Sequence, residues 1–253
     1  MIDYDALLNT ASTMGLRMLE SGAEAYRVED SLQRLCRAYG ADSCEIFAIP
    51  SLLIVSLCDP EGHSHTRVRR LYRRGTDLWQ VDQLNGLCRA VCQGTPPFPE
   101  VDGSLARLAE AKGYPPALQL AGFAFIAAFF TLLFGGTAAD ALCSLAAGAV
   151  IFFAKYPMDR HRANSFFVNG ACSFLAALTA IAGVRLGVGQ NLDKIIIGAF
   201  MGLVPGVAIT NFMRDVLEGD LFAGITKLTE SLLTATALAL GAGIALSLLG
   251  GAA

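Results

Sequence analysis

The chain is 253 residues long, 54% hydrophobic and only 16% charged, with a mean hydropathy of +0.50. A soluble domain carries roughly 25% charged residues, so a lipid bilayer is the natural solvent for much of this one. The net charge of −3 is uninformative, and with no basic patch interleaved with aromatics no nucleic-acid partner is expected.

Charge is spread unevenly: residues 1–112 hold 12 of the 19 Lys and Arg and 15 of the 22 Asp and Glu. A cytoplasmic domain is therefore expected over 1–112, long enough for its own core, and a membrane domain over 113–253. Met1 to Glu20 starts acidic and its apolar residues are interrupted by Asp3, Asp5, Asn9 and Arg17. No cleavable signal peptide is expected, and the amino terminus is placed in the cytoplasm. Seven cysteines without a regular framework read as reduced thiols.

In chain order, apolar residues at helical spacing predict helices over 3–20 and 23–39, with Ser21-Gly22 and Gly40 as stops. Residues 43–49 and 52–58 read as strands, and Asp59-Pro60-Glu61-Gly62 as the turn of a hairpin whose returning strand is 63–71. Residues 76–93 read as a helix, 95–99 as a proline-rich linker, and 104–112 as a short helix leading to the membrane. Five apolar runs come after it, at 116–134, 138–156, 165–184, 192–213 and 225–249, each long enough to span ~30 Å of hydrocarbon at 1.5 Å per residue. The fold class expected is an α-helical polytopic membrane protein of five spans with an amino-terminal α+β cytoplasmic domain.

With the amino terminus inside, 17 Lys and Arg fall on the cytoplasmic side and two, Arg185 and Lys194, outside. An odd number of spans then places Ala253 outside.

The stretch Val204 to Asp220 lies between two apolar runs yet carries a helix breaker and four ionisable groups. Pro205 cannot bond one turn back and Gly206 adds backbone freedom, so a helix arriving from Ile195 should kink or break there. Broken membrane helices free backbone groups and often line transport sites.

Three stretches together carry a family resemblance: Glu20-Ser-Gly-Ala-Glu-Ala-Tyr-Arg-Val-Glu-Asp30, then Thr66-Arg-Val-Arg-Arg70 with Arg74-Gly75, then Pro205-Gly206 through Thr210-Asn211, Arg214-Asp215 and Gly219-Asp220. The chain resembles the threonine/serine exporter (ThrE) family, closest to its short YjjP-like members. The resemblance implies export of threonine and serine, or of a dicarboxylate such as succinate, from the bacterial inner membrane. Full-length family members resemble a soluble domain followed by about twice as many spans, so it also implies a separate YjjB-like membrane partner, further copies of the chain, or both.

The candidate substrate and translocation residues are Pro205, Gly206, Thr210, Asn211, Arg214, Asp215 and Asp220. Arg214 suits a substrate carboxylate held by two parallel hydrogen bonds; the plainer reading is a charged flank of the fourth span. Glu230 and Asp140 are candidate proton carriers, and Asn164 and Asn169 are candidates for hydrogen bonds across the bundle. In the first domain Glu24, Arg27 and Glu29 form a possible cluster, with surface charge pairing as the alternative. His63 and His65 share a strand face with Cys58 across the turn, but no fourth ligand is evident, and no metal, cofactor or catalytic residue is assigned. No phosphate-cradling Gly-x-x-x-x-Gly-Lys motif is present, so a proton or ion gradient is the expected energy source. The competing readings are a membrane-anchored enzyme or a sensory domain with its chemistry in 1–112.

Overall fold

The computed structural model describes residues 3–41, 43–59, 61–72, 75–111, 113–161 and 163–249. Expectations resting on Pro60, Arg74, Lys112, Arg162 and Ala253 lie outside the described residues. The chain divides into two compact units, one of Met1–Lys112 with Val207–Leu228, the other of Gly113–Gly206 with Thr229–Ala253.

The first unit begins with α1 (Tyr4–Glu20), capped by the Asp3 carboxylate on the Ala6 amide at 2.9 Å, and α2 (Ala25–Ala38). Three antiparallel strands come next in spatial order, β1 (Ser43–Ile49), β2 (Leu52–Cys58) and β3 (Ser64–Arg70). Central β2 alternates, burying Leu53, Val55 and Leu57 in a core with Leu7, Met14, Met18, Val28, Leu32 and Leu35 of the two helices. Edge strand β3 turns its basic side chains to α1 instead: Arg67 and Arg69 both donate to Asn9 Oδ1, at 2.6 and 3.2 Å. Charged edges of this kind also resist pairing with other chains.

Gly22, between α1 and α2, sits at φ +92°, and a Cβ there would stand 2.7 Å from the Gly75 carbonyl oxygen. Glycine is therefore required at this turn of the first family stretch.

Helices α3 (Leu78–Gly94) and α4 (Phe98–Glu110) complete the amino-terminal part of the unit. The helix expected over 104–112 thus starts at Phe98. Pro99 lies in its first turn, where a missing amide hydrogen costs nothing, so the second half of the expected linker is helix.

The second unit holds α5 (Pro116–Leu133), α6 (Ala138–Arg160), α7 (Ser165–Arg185), α8 (Leu192–Phe200) and residues 229–249 of α10 (Leu221–Leu249). Its core is built from small residues, among them Ala127, Ala147, Cys172, Ala176 and Ala199 around Ile151 and Leu238. They let backbones approach closely: a Cβ on Gly148 would meet Ala127 Cβ at 2.9 Å, and one on Gly198 would meet the Thr131 amide nitrogen at 2.7 Å.

Helices α5, α6, α7 and α10 are long and apolar enough to cross a membrane. The run expected as a fourth span, 192–213, is not one helix. It is divided into α8 and α9 (Gly206–Leu217), of nine and twelve residues; at 1.5 Å per residue these rise only ~13 and ~18 Å. Pro205 has no amide hydrogen and disfavours helical Val204 before it, and the chain leaves the helix at Phe200 with bonds from Leu203 and Val204 back to the Phe200 carbonyl.

Candidate functional site

From Val207 onward α9 belongs to the first unit, and it brings two groups of candidate residues together there. Arg214 Nη1 donates to Glu24 Oε1 at 2.9 Å, while Arg27 Nε lies 3.2 Å from Glu24 Oε2. One carboxylate is thus forked between two guanidinium groups. Glu24 stands at the N-cap of α2 but makes no side-chain cap bond; its carboxylate, 11% exposed, is turned to the arginines. The Tyr26 hydroxyl and then Glu24 hold the Arg214 proton more tightly than usual. Asn211 Nδ2 donates to the Gly22 carbonyl at 3.4 Å, joining α9 to the glycine turn.

One residue beyond Arg214, Asp215 is fully buried. Its Oδ2 accepts from Lys227 Nζ at 2.7 Å, and its Oδ1 is buried with no hydrogen-bond partner. Burying an ion pair is costly unless the geometry is close, so this short contact fixes α9 to the first turns of α10. Asp220 starts the second helix of this pair: the chain turns at Gly219, φ +97°, and the Asp220 amide bonds the Asp215 carbonyl at 2.8 Å. Burial, then the Asp215 charge, raises the Asp220 carboxyl above the usual range. Glu29 is raised in turn, chiefly by burial and in part by Asp220, although it accepts the Ala48 amide at 2.7 Å.

Thr210 is exposed on α9, and Pro205 and Gly206 form the break before it. The candidate proton carriers belong to the second unit. Asp140 is buried and accepts five donors: the Thr137 amide and hydroxyl, the Gln190 and Asn191 amides, and Asn191 Nδ2, all within 2.6–2.9 Å. With Thr137 it forms a capping box at the start of α6. Glu230 is exposed on α10. Asn164 caps α7 through the Phe166 amide, and Asn169 is buried within α7.

The cysteines are free thiols. Cys88 is pushed up to about 12, by burial and then Cys92, and its Sγ donates to the Ser31 carbonyl. A thiol so firmly protonated is a poor nucleophile or metal ligand.

Three participants were missed from the sequence. Lys227 is the only Lys or Arg after Arg214, so the pairing of a buried acid with it had a compositional signal. Gln190 and Asn191, which bind Asp140 through their backbone amides, left none.

Chemically, the Glu24–Arg27–Arg214 arrangement holds one carboxylate by a separate guanidinium group on each oxygen, and charge-assisted contacts of this kind are stronger than neutral hydrogen bonds.

Two curated relatives and one family model match the chain. "Probable succinate transporter subunit YjjP" of Klebsiella aerogenes is 26% identical over 238 residues, covering 93% of this chain and 91% of the relative. The protein of the same name from Escherichia coli (strain K12) is 25% identical over 241 residues, covering 93% and 92%. No solved structure matches the chain. The family model described as "Putative threonine/serine exporter" matches residues 9–249, and the chain therefore belongs to the ThrE family.

Proposed function

We propose that the chain is one subunit of a secondary exporter of small carboxylate-bearing metabolites, threonine and serine or a dicarboxylate such as succinate, in the bacterial cytoplasmic membrane. The observation that carries this reading is the Glu24 carboxylate divided between Arg214 and Arg27. A substrate carboxylate presents the same two oxygens, so Glu24 is an internal stand-in that substrate displaces, and Asn211 and Thr210 lie along the same helix to meet its remaining polar groups. The names of the family and of its relatives are those of transporters, not of an enzyme, and a relative named as a succinate transporter subunit favours the dicarboxylate.

The word subunit in those names also supports a second component, which we take to be a YjjB-like membrane protein, with further copies of this chain as the other candidate. A gradient drives the cycle in this reading. Asp215 is the carboxylate we assign to the coupling step, because its Oδ1 is buried without a hydrogen-bond partner among the described residues. Asp140, saturated by five donors, is given a structural role instead. The 17 to 2 division of basic residues supports a cytoplasmic amino terminus and an external carboxyl terminus, with 192–213 crossing as a broken fourth span.

The test is counterflow of labelled succinate and threonine in liposomes, with and without the YjjB-like protein. Exchange of one of them is expected only when both proteins are present. Failure of every carboxylate tried in the complete pair, or full activity of this chain alone as a monomer, overturns the reading.

A further inference from the structure

The tip of the β2–β3 hairpin gathers two imidazoles and two carboxylates outside the site just described. Ligand atoms of Asp59, Glu61 and His63 all lie within 4.8 Å of one another. Asp59 Oδ2 is 3.1 Å from His63 Nδ1 and 3.3 Å from His65 Nε2, and His63 Nδ1 is 3.7 Å from Glu61 Oε2. We propose that Asp59, Glu61 and His63, with His65 as the fourth donor, form a binding site for a divalent transition-metal ion of the zinc class.

The arrangement beneath the donors supports this. Asp59 Oδ1 accepts the backbone amides of Glu61 and His63, at 3.0 and 2.8 Å, so Oδ2 is the oxygen turned to the two imidazoles. Outer hydrogen bonds that fix a ligating carboxylate in this way are a regular part of metal sites. The His65 ring is held as well, stacked on Tyr4 with centroids 5.5 Å apart. The Asp59 side chain is 13% exposed, whereas His63 and Glu61 are open to solvent, giving an ion a sheltered floor and an entry path. Two imidazoles with carboxylates suit zinc and its neighbours better than calcium or magnesium, which prefer oxygen alone.

Cys58 is not among the donors. It is paired with Ser64 across the strands, its Sγ 3.5 Å from Ser64 Oγ, and alternation puts His65 on the opposite face. The ligands not evident in the sequence are thus the two turn carboxylates rather than a thiolate.

The experiment is Co²⁺ and Zn²⁺ titration of the full-length protein purified in detergent, read by calorimetry and by cobalt absorption. One ion per chain is expected, with d–d bands and no thiolate-to-cobalt charge transfer. His63→Ala and Asp59→Asn should each weaken binding by about tenfold or more, and His65→Ala should weaken it too. Cys58→Ser should bind as wild type. Far-ultraviolet circular dichroism of each variant identifies one that fails to fold, and Asp59→Asn keeps an oxygen for the two amides. The inference is overturned if the wild type takes up no stoichiometric ion, if folded ligand variants bind as tightly as wild type, or if a thiolate band appears and vanishes in Cys58→Ser.

Discussion

Glu24 and Arg214 are 190 positions apart in the chain and 2.9 Å apart in space. If the contact is the place a substrate carboxylate takes, its two partners give opposite kinetic signatures. Arg214→Lys keeps the charge but loses the planar fork, and the loss of a charge-assisted hydrogen bond, about 1.5–3 kcal/mol, should reduce transport roughly tenfold or more. Glu24→Gln removes the competing carboxylate and should lower the apparent KM. Initial export rates against substrate concentration, normalised to membrane protein, check both; a Glu24→Gln variant whose transport falls as in Arg214→Lys would make the pair merely structural.

Asp215 and Lys227 should behave as a unit. Lys227→Met leaves a fully buried carboxylate without its ion-pair partner and should cost about 3–5 kcal/mol of stability, whereas Asp215→Asn with Lys227→Met should recover part of that loss. Thermal unfolding in detergent measures the cycle. Transport by Asp215→Asn should also fall, since the buried carboxylate is assigned to coupling; unchanged initial rates would remove it from that role.

Glu29 supplies a pH dependence of folding. Burial raises its carboxyl above the ordinary range, and Asp220 adds to this against the Ala48 amide. The folded protein therefore binds the proton more tightly than the unfolded chain does. The stabilisation is complete below the unfolded value and is lost as pH rises through the raised one. Glu29→Gln, which can still accept from Ala48, should flatten melting temperature against pH across that window and be the more stable form at neutral pH. Parallel curves for variant and wild type would contradict the assignment.

At Gly198 a Cβ would stand 2.7 Å from the Thr131 amide nitrogen and 2.9 Å from the Ala127 carbonyl oxygen, whereas nothing lies within 4 Å of one added at Gly243. Gly198→Val should destabilise by about 1–3 kcal/mol. Gly243→Ala should stay within about 0.5 kcal/mol of wild type. The two melting curves decide; equal curves would mean that α5 and α8 are not closely packed.

Topology reporters fused to the two ends test whether 192–213 crosses the membrane. Opposite sides are expected if α8 and the break complete a fifth crossing. Both ends on one side would limit the crossings to the four long helices.

Much of the architecture was legible because period and composition speak directly to it. The alternation of Leu53, Val55 and Leu57 marks a strand packed on helices, and the apolar lengths of α5, α6, α7 and α10 mark helices able to cross a membrane. The break near Pro205 was legible for the same reason, since proline chemistry is local. The junction of Arg214 with Glu24 was not, because no periodicity relates residues so far apart and each charge alone looks like an ordinary helix flank. The packing of 207–228 with the first unit was hidden likewise: its charges read as the flank of a span, and nothing in the sequence names their partners. Pro99 misled through context, as a proline starts a helix or stiffens a linker depending on the residues after it.

The five donors on Asp140 also carry a schedule. Thr137 is made just before it, but Gln190 and Asn191 come 50 and 51 positions later. At about 5–20 residues per second of synthesis, the carboxylate waits on the order of seconds for those donors, and the whole of α7 is made in between. During that interval α6 has only its own capping box to hold its charged end. The start of α6 is thus sealed late, by chain that arrives after the next helix, and substitutions at Asn191 should show first as slow maturation of newly made protein rather than as loss of function in protein already assembled.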